Sequence, residues 1–222
     1  MNQDQNPGGG VPKSSGWESV AGWFIQHSAG STVGARFVEL WTQEFPPGAS
    51  VLDVGCGAGS PRSEALMRKG VQVYAVDASP TLAAAYKNRF PDAQVACEVV
   101  EESPLFGIRF DAILAWGLVF LLPPDEQRRL LGRLVAALKP GGRLLFTAPK
   151  QNCTWNDATT GQPSVSMGSE SYKALLSSLG APVVFEHEDE GQNHYHGARK
   201  VQAPDLPTRS NKSLHPTAFG GG

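Results

Sequence analysis

Thiols are few and scattered in this chain. Cys56, Cys97 and Cys153 are the full complement among its 222 residues, and no two stand in a C-x-x-C pair. An odd, widely spaced set argues against a disulfide framework or a cysteine zinc site and for a reducing compartment. A charge excess of either sign is also missing: 19 Lys and Arg face 21 Asp and Glu, a formal net charge of -2. Without a basic stripe, a dedicated nucleic-acid binder is disfavoured. The N-terminus, Met1-Asn2-Gln3-Asp4-Gln5, lacks the basic start and apolar run of a signal peptide. The longest nearly apolar run, residues 112–122, is too short to span a bilayer. These absences predict a soluble cytoplasmic protein, monomer or homodimer, with neither membrane nor nucleic acid as a partner.

What is present is a strand running into a glycine-rich turn, Val51-Leu52-Asp53-Val54-Gly55-Cys56-Gly57-Ala58-Gly59. Glycine at such a turn lets backbone approach a ligand closely. Around it the chain alternates. Strands are expected over 49–55, 71–77, 93–98, 110–116 and 143–148, and helices over 61–69, 80–90 and 125–138. Ser79-Pro80 is a capping serine with proline at the first helical position, and Lys139-Pro140-Gly141-Gly142 reads as the turn that ends the last of these helices. This alternation calls for a doubly wound α/β sheet, largely parallel and covered on both faces, with ligands at the carboxyl ends of its strands.

The flanks are plainer. Residues 1–16 read as a disordered leader and 202–222 as a disordered tail, both rich in Gly, Pro and polar residues. Within 17–45, apolar residues at three and four spacings predict two helices broken near Gly30-Ser31, either core packing or a lid. Residues 149–167 read as a long polar loop. A helix over 168–179 follows, then a strand pair, 183–188 and 195–201, joined by the acidic turn Asp189-Glu190-Gly191.

Two cofactor chemistries start from a strand and a glycine turn. A dinucleotide site wants G-x-G-x-x-G, whereas here the glycines give G-x-G-x-G, with a carboxylate, Asp53, inside the strand. Asp53 would repel a pyrophosphate but suits a ligand carrying an ammonium group. Asp77 ends the second strand, 22 positions after Gly55, where a carboxylate accepts hydrogen bonds from ribose hydroxyls.

With these residues the chain resembles the class I S-adenosylmethionine-dependent methyltransferases. Residues 51–59 match that superfamily's first motif and Val76-Asp77-Ala78-Ser79 its acidic motif. Phe110-Asp111-Ala112-Ile113 matches the fourth-strand motif, and residues 134–147 the helix, turn and strand that follow. The resemblance implies a Rossmann-like seven-stranded sheet, mostly parallel with an antiparallel last strand. It divides a 17–201 methyltransferase domain into a helical cap (17–45), a cofactor core (49–148) and a substrate side (149–201). It implies S-adenosylmethionine as cofactor. Gly55, Cys56, Gly57 and Gly59, with Asp53, would serve its methionine part, Asp77 the ribose and Ala78 the adenine. Val100 and Glu101 would flank the adenine's other edge, and Trp116 would wall the pocket.

The implied reaction is methyl transfer to a small-molecule acceptor through a nitrogen or oxygen nucleophile, or alternatively cofactor binding without catalysis. The Pro-Pro motif of methyltransferases acting on DNA bases and protein glutamine is replaced by Ala115-Trp116-Gly117-Leu118. His194, Tyr195 and Asp157 are the candidate catalytic residues. His194 and His196 should share one strand face and Tyr195 the other. The run Glu186-His187-Glu188-Asp189-Glu190 reads as a solvated hairpin tip, and no metal site is expected. The stretch 210–216 resembles translated read-through of a mobile gene cassette, which implies a bacterial source.

Overall fold

Strand β1 (Ser50–Val54) is buried along its whole length because both its edges and both its faces are covered. In the computed structural model, which describes residues 13–202, the sheet grows outward from it. On one side lie β2 (Gln72–Asp77) and β3 (Gln94–Cys97), on the other β4 (Phe110–Ala115) and β5 (Leu138–Thr147). The far edge is built by β9 (His194–Arg199) and β8 (Val183–Glu188), giving the order β3-β2-β1-β4-β5-β9-β8. β9 runs antiparallel to both neighbours, and the other pairings are parallel. Strand order reverses between β1 and β4, so the crevice above their carboxyl ends is the expected ligand site.

Alternate residues of the strands feed two cores. Leu52, Val54, Ile113, Leu144 and Phe146 face α5 (Pro124–Ala137) and α6 (Ser169–Ser178) through Leu130, Leu134, Tyr172 and Leu176. Val51, Val73, Ala112, Leu114 and Leu145 face α2 (Ala35–Trp41) and α3 (Arg62–Arg68) through Val38, Trp41, Ala65 and Leu66. A smaller cluster seats Tyr86 of α4 (Pro80–Arg89) against Ala75 and Cys56. Continuous burial of central strands explains their apolar runs. α1 (Ala21–Ser28) follows a 3-10 segment, Lys13–Val20. The expected cap of α4 is present, Ser79 Oγ accepting from Leu82 N at 3.1 Å with Pro80 first in the helix.

Three expectations need correction. Residues 149–167 are not a structureless loop: β6 (Asn152–Asn156) and β7 (Pro163–Met167) pair antiparallel as a separate ribbon. Its inward positions include the fully buried Ser164 and Ser166, so hydropathy does not reveal the alternation. Gln127 pins the ribbon: its Nε2 donates to Leu122 O (2.7 Å) and Val165 O (2.8 Å), while its Oε1 accepts from Tyr172 (2.7 Å).

Next, Lys139-Pro140-Gly141-Gly142 does not simply end a helix. β5 already begins at Leu138 and bulges, with Phe110 opposite Leu138 and Ala112 opposite Arg143. A Cβ at Gly142 would lie 2.8 Å from Lys139 O, so this fold-back demands glycine. Finally, part of the expected leader, residues 13–16, falls within the 3-10 segment. The leader's residues 1–12 and the tail from 203 onward, with its cassette-like stretch, lie outside the described residues.

Candidate active site

The turn after β1 is held by the next strand: Gly55 N and Cys56 N both donate to Val76 O, at 2.8 and 3.2 Å. Asp77, at the end of β2, is buried with each oxygen on a backbone donor. Oδ2 accepts from Gly57 N (2.8 Å) and Oδ1 from Ser79 N (2.9 Å). Each oxygen keeps further acceptor capacity. Gly57 has φ +56°, and a Cβ there would lie 3.1 Å from the Phe24 ring, so the turn is bare where α1 crosses it. A pocket opens over this turn at the switch point. Gly55, Cys56, Gly57, Asp77, Ala78, Val100 and Trp116 line it, as do Arg62, Phe24, Trp17, Leu118 and Leu121.

Not every residue singled out above reaches the cavity. Asp53 sits behind the turn, 4% exposed, accepting from Ser63 Oγ. Burial pushes its carboxyl up to about 6, against the pull of that hydrogen bond and of Arg62. Gly59, at φ +81°, instead clears Tyr86 and Phe90, which a Cβ would meet at 2.9 and 2.5 Å. Glu101 is absent from the lining, where its neighbour Val100 takes part. Cys56 keeps its proton, because burial and then the charges of Asp53 and Asp77 raise its thiol well above the ordinary range.

The three catalytic candidates separate. Tyr195 is fully buried on the α2–α3 face of β9. Its hydroxyl donates to Asp189 Oδ2 (2.9 Å) and accepts from Trp116 Nε1 (2.9 Å). Burial, then the Asp189 charge, raises its pKa, and the hydroxyl is engaged by both Asp189 and Trp116. Asp157 lies in the ribbon's turn, where Oδ1 accepts from Thr159 N (3.1 Å), Thr160 N (2.7 Å) and Thr160 Oγ1 (2.8 Å). That is the local bonding of a turn former, made through one of its two oxygens. His194 lines a second groove with Phe120, Thr147 and Trp155, whose wall meets the cavity where Gly117 N donates to Thr147 Oγ1 at 2.8 Å.

The hairpin-tip reading of residues 186–190 also fails in part. Asp189 is buried and organises the turn, accepting from Gly191 N and Asn193 N at 2.9 Å each. Glu186 stands opposite His196 in the ladder and, with His194 and His196, forms a compact group. Although burial opposes it, bonding to Lys173 and His194 holds the Glu186 carboxyl down to about 2.

Arg62 was not singled out by the sequence. Its guanidinium lies 3.5 Å over the Trp116 ring, a cation–π stack at the cavity wall. Burial lowers its pKa to about 10, with Asp53, Tyr195 and Asp189 pulling the other way. A signal existed, since a cation in the first turn of a helix opposes the helix dipole and needs another purpose. The N-terminal segment is clasped shut by Glu18, which accepts from Ser79 Oγ and Thr81 Oγ1 (the latter at 2.7 Å), holding Trp17 and Phe24 over the cavity.

A seven-stranded sheet with its one antiparallel strand at β9, and a glycine turn facing an acidic strand end, defines a Rossmann-like ligand-binding domain. Residues 51–142 match the family model described as a methyltransferase domain.

Among curated proteins, the chain is 36% identical over 109 residues to a ubiquinone biosynthesis O-methyltransferase of Coxiella burnetii, covering 47% of this chain and 45% of that protein. It is 35% identical over 106 residues to the Xanthomonas campestris protein of the same name, covering 46% and 43%. The chain thus spans less than half the length of these relatives.

Solved structures share the fold. The Burkholderia thailandensis 1,6-didemethyltoxoflavin-N1-methyltransferase, with 1,6-didemethyltoxoflavin and S-adenosylhomocysteine bound, superposes with a TM-score of 0.67 at 19% identity, covering 89% of this chain and 94% of that one. The [4+2]-cyclase SpnF gives 0.70 at 16% identity, covering 90% and 100%. Among the described residues no helix is long and apolar enough to cross a membrane.

Proposed function

We propose that the chain binds S-adenosylmethionine in the cavity above β1 and β4 and transfers its methyl group to a small-molecule acceptor through nitrogen or oxygen. The observation that carries this reading is Asp77, buried, fixed by Gly57 N and Ser79 N, and still able to accept at the rim of the cavity. The residues fit the cofactor chemically. Asp77 would take the ribose hydroxyls, with Ala78 and Val100 beside the adenine. Arg62 and the Asp53 charge behind the turn would match the carboxylate and ammonium of the amino-acid end. When bound, the cofactor supplies an electrophilic methyl group on a good leaving group.

The chain's own contribution is alignment in a dry site. Trp17, Phe24, Trp116, Leu118 and Leu121 give the cavity an apolar, largely aromatic wall, which favours an apolar acceptor. Glu18 keeps the N-terminal cover closed. A general base is needed only for a nucleophile of high pKa. Of the candidates, His194 is the one that lines the groove. The curated relatives named as O-methyltransferases support oxygen as nucleophile.

The test is calorimetry with S-adenosylhomocysteine and NADH, followed by tritiated-methyl transfer to a panel of phenols, amines, thiols and carboxylates. Binding of the first, silence of the second and one labelled acceptor class are expected. NADH binding alone would overturn the reading. The fold is shared by a [4+2]-cyclase, SpnF, and the second reading is cofactor binding without methyl transfer. Binding with no acceptor labelled would support it.

Once an acceptor is in hand, Tyr195→Phe separates orientation from base catalysis. The variant is expected to lose about 1–2 kcal/mol of stability from two hydrogen bonds and to keep the shape of the pH–rate profile. Loss of one limb of that profile would make Tyr195 the base.

A further inference from the structure

β8 and β9 bring three metal-ligating groups together on the sheet face opposite Tyr195. Glu186 Oε1 lies 3.1 Å from His194 Nε2 and 3.4 Å from His196 Nδ1, and the three ligand atoms all fall within 4.8 Å of one another. Donors bound to one zinc ion at about 2.0–2.2 Å in a tetrahedron sit roughly 3.3–3.5 Å apart. Two of the three edges already approach this, and the third closes with small side-chain rotations.

His196 gives the independent sign of a missing cation. It is fully buried, and its ring lies between two acceptors, Ala148 O at 3.3 Å from Nε2 and Glu186 Oε1 at 3.4 Å from Nδ1. A neutral imidazole has one N–H to give. With that proton on Nε2, the Nδ1 lone pair is left 3.4 Å from a carboxylate oxygen, and Nδ1 has no hydrogen-bond partner among the described residues. Donation of the far ring nitrogen to a backbone carbonyl is how metal-binding histidines are held in the ligating tautomer. The carboxylate is prepared in the same sense: Lys173 Nζ occupies Glu186 Oε2 at 2.7 Å and leaves Oε1 toward the two rings.

We propose that Glu186, His194 and His196 form a binding site for a divalent transition metal of the zinc class, through Oε1, Nε2 and Nδ1 respectively. Its form is H-x-H on one strand with a carboxylate from the paired strand, a two-histidine, one-carboxylate set that leaves a position for water or a ligand. His194 is the member that also lines the groove with Phe120 and Trp155, so the free position lies on the groove side. The nearby Lys173 charge opposes a cation and sets a ceiling on affinity.

The experiment uses the full, tag-free chain, stripped with chelator and with its thiols blocked so that Cys97 and Cys153 cannot contribute. Co²⁺ is titrated and followed by its visible absorption, then displaced by Zn²⁺. One equivalent is expected, with a low-symmetry spectrum abolished by Zn²⁺. His194→Asn and Glu186→Gln are each expected to weaken binding at least tenfold while keeping a cooperative thermal transition. His196→Asn, at a buried position, is read only if it still folds. Wild-type binding no tighter than that of the His194 and Glu186 variants would overturn the site and leave an ion-pair cluster. Because the readout is metal absorbance, it is independent of methyl transfer and of S-adenosylmethionine binding.

Discussion

Asp77→Ala is expected to weaken S-adenosylhomocysteine binding by about 10²-fold or more. Two ribose hydroxyls donating to one buried carboxylate are worth about 1.5–3 kcal/mol each, or roughly 3–6 kcal/mol together, and each 1.4 kcal/mol is about tenfold in affinity. The same substitution strips Gly57 N and Ser79 N of their acceptor, so the unliganded protein should also melt earlier. Calorimetry is therefore read on protein whose transition remains cooperative, with Asp77→Asn as the milder variant. Asparagine is not innocent either, because its amide must turn NH₂ toward one of two backbone donors. Unchanged affinity in a folded variant would remove Asp77 from the site.

Asp53→Asn should act in the opposite direction on stability. Burial raises this carboxyl from 3.8 to about 6 in the folded chain, so the fold favours its protonated form. The stability contributed by the neutral acid is complete below about 4 and is lost as pH rises through about 6. At pH 7.5 the ionised group costs about 3 kcal/mol, two pH units and a little more at 1.36 kcal/mol each. The amide removes that cost while Ser63 can still donate to it, although Arg62 loses a counter-charge.

Denaturant melts between pH 5 and 8 should show the wild type weakening with pH and the variant nearly level. Cofactor affinity should meanwhile fall, since the charge behind the ammonium position is gone. A variant that is less stable at pH 7.5 would show that Arg62 already compensates the carboxylate. Stability gained where binding is lost marks a group retained for function.

Much of the sheet could be read from the chain because central parallel strands carry unbroken apolar runs and their turns carry glycine. Residues 51–59 and the Val76-Asp77 pair are local signals of that kind, and they lie at the cavity. What escaped the reading depends on pairs distant in sequence. The ribbon's buried Ser164 and Ser166 invert the hydropathy expected of an inward face. Glu186 meets His196 only through the register of β8 on β9, which no single run of residues encodes. The assignment of opposite faces to His194 and Tyr195 followed from strand periodicity alone. Which of them is sealed depended on Trp116 and Asp189, from β4's loop and the 189–193 turn.

The anchoring of the β6–β7 ribbon has a consequence for how this scaffold can diversify. Gln127, itself tied to Leu122 O, holds β7 through the carbonyl of Val165, and Tyr172 Oη receives the amide of Met167 at 3.2 Å. These attachments are made to main chain and are indifferent to the ribbon's side chains. Trp155 stands on β6, which is held to β7 by backbone pairing, and meets Phe120 at 5.3 Å across the groove, so its exchange for other residues leaves these attachments in place. The groove wall that carries Trp155 is a replaceable cassette, fastened by a glutamine and a tyrosine that must stay.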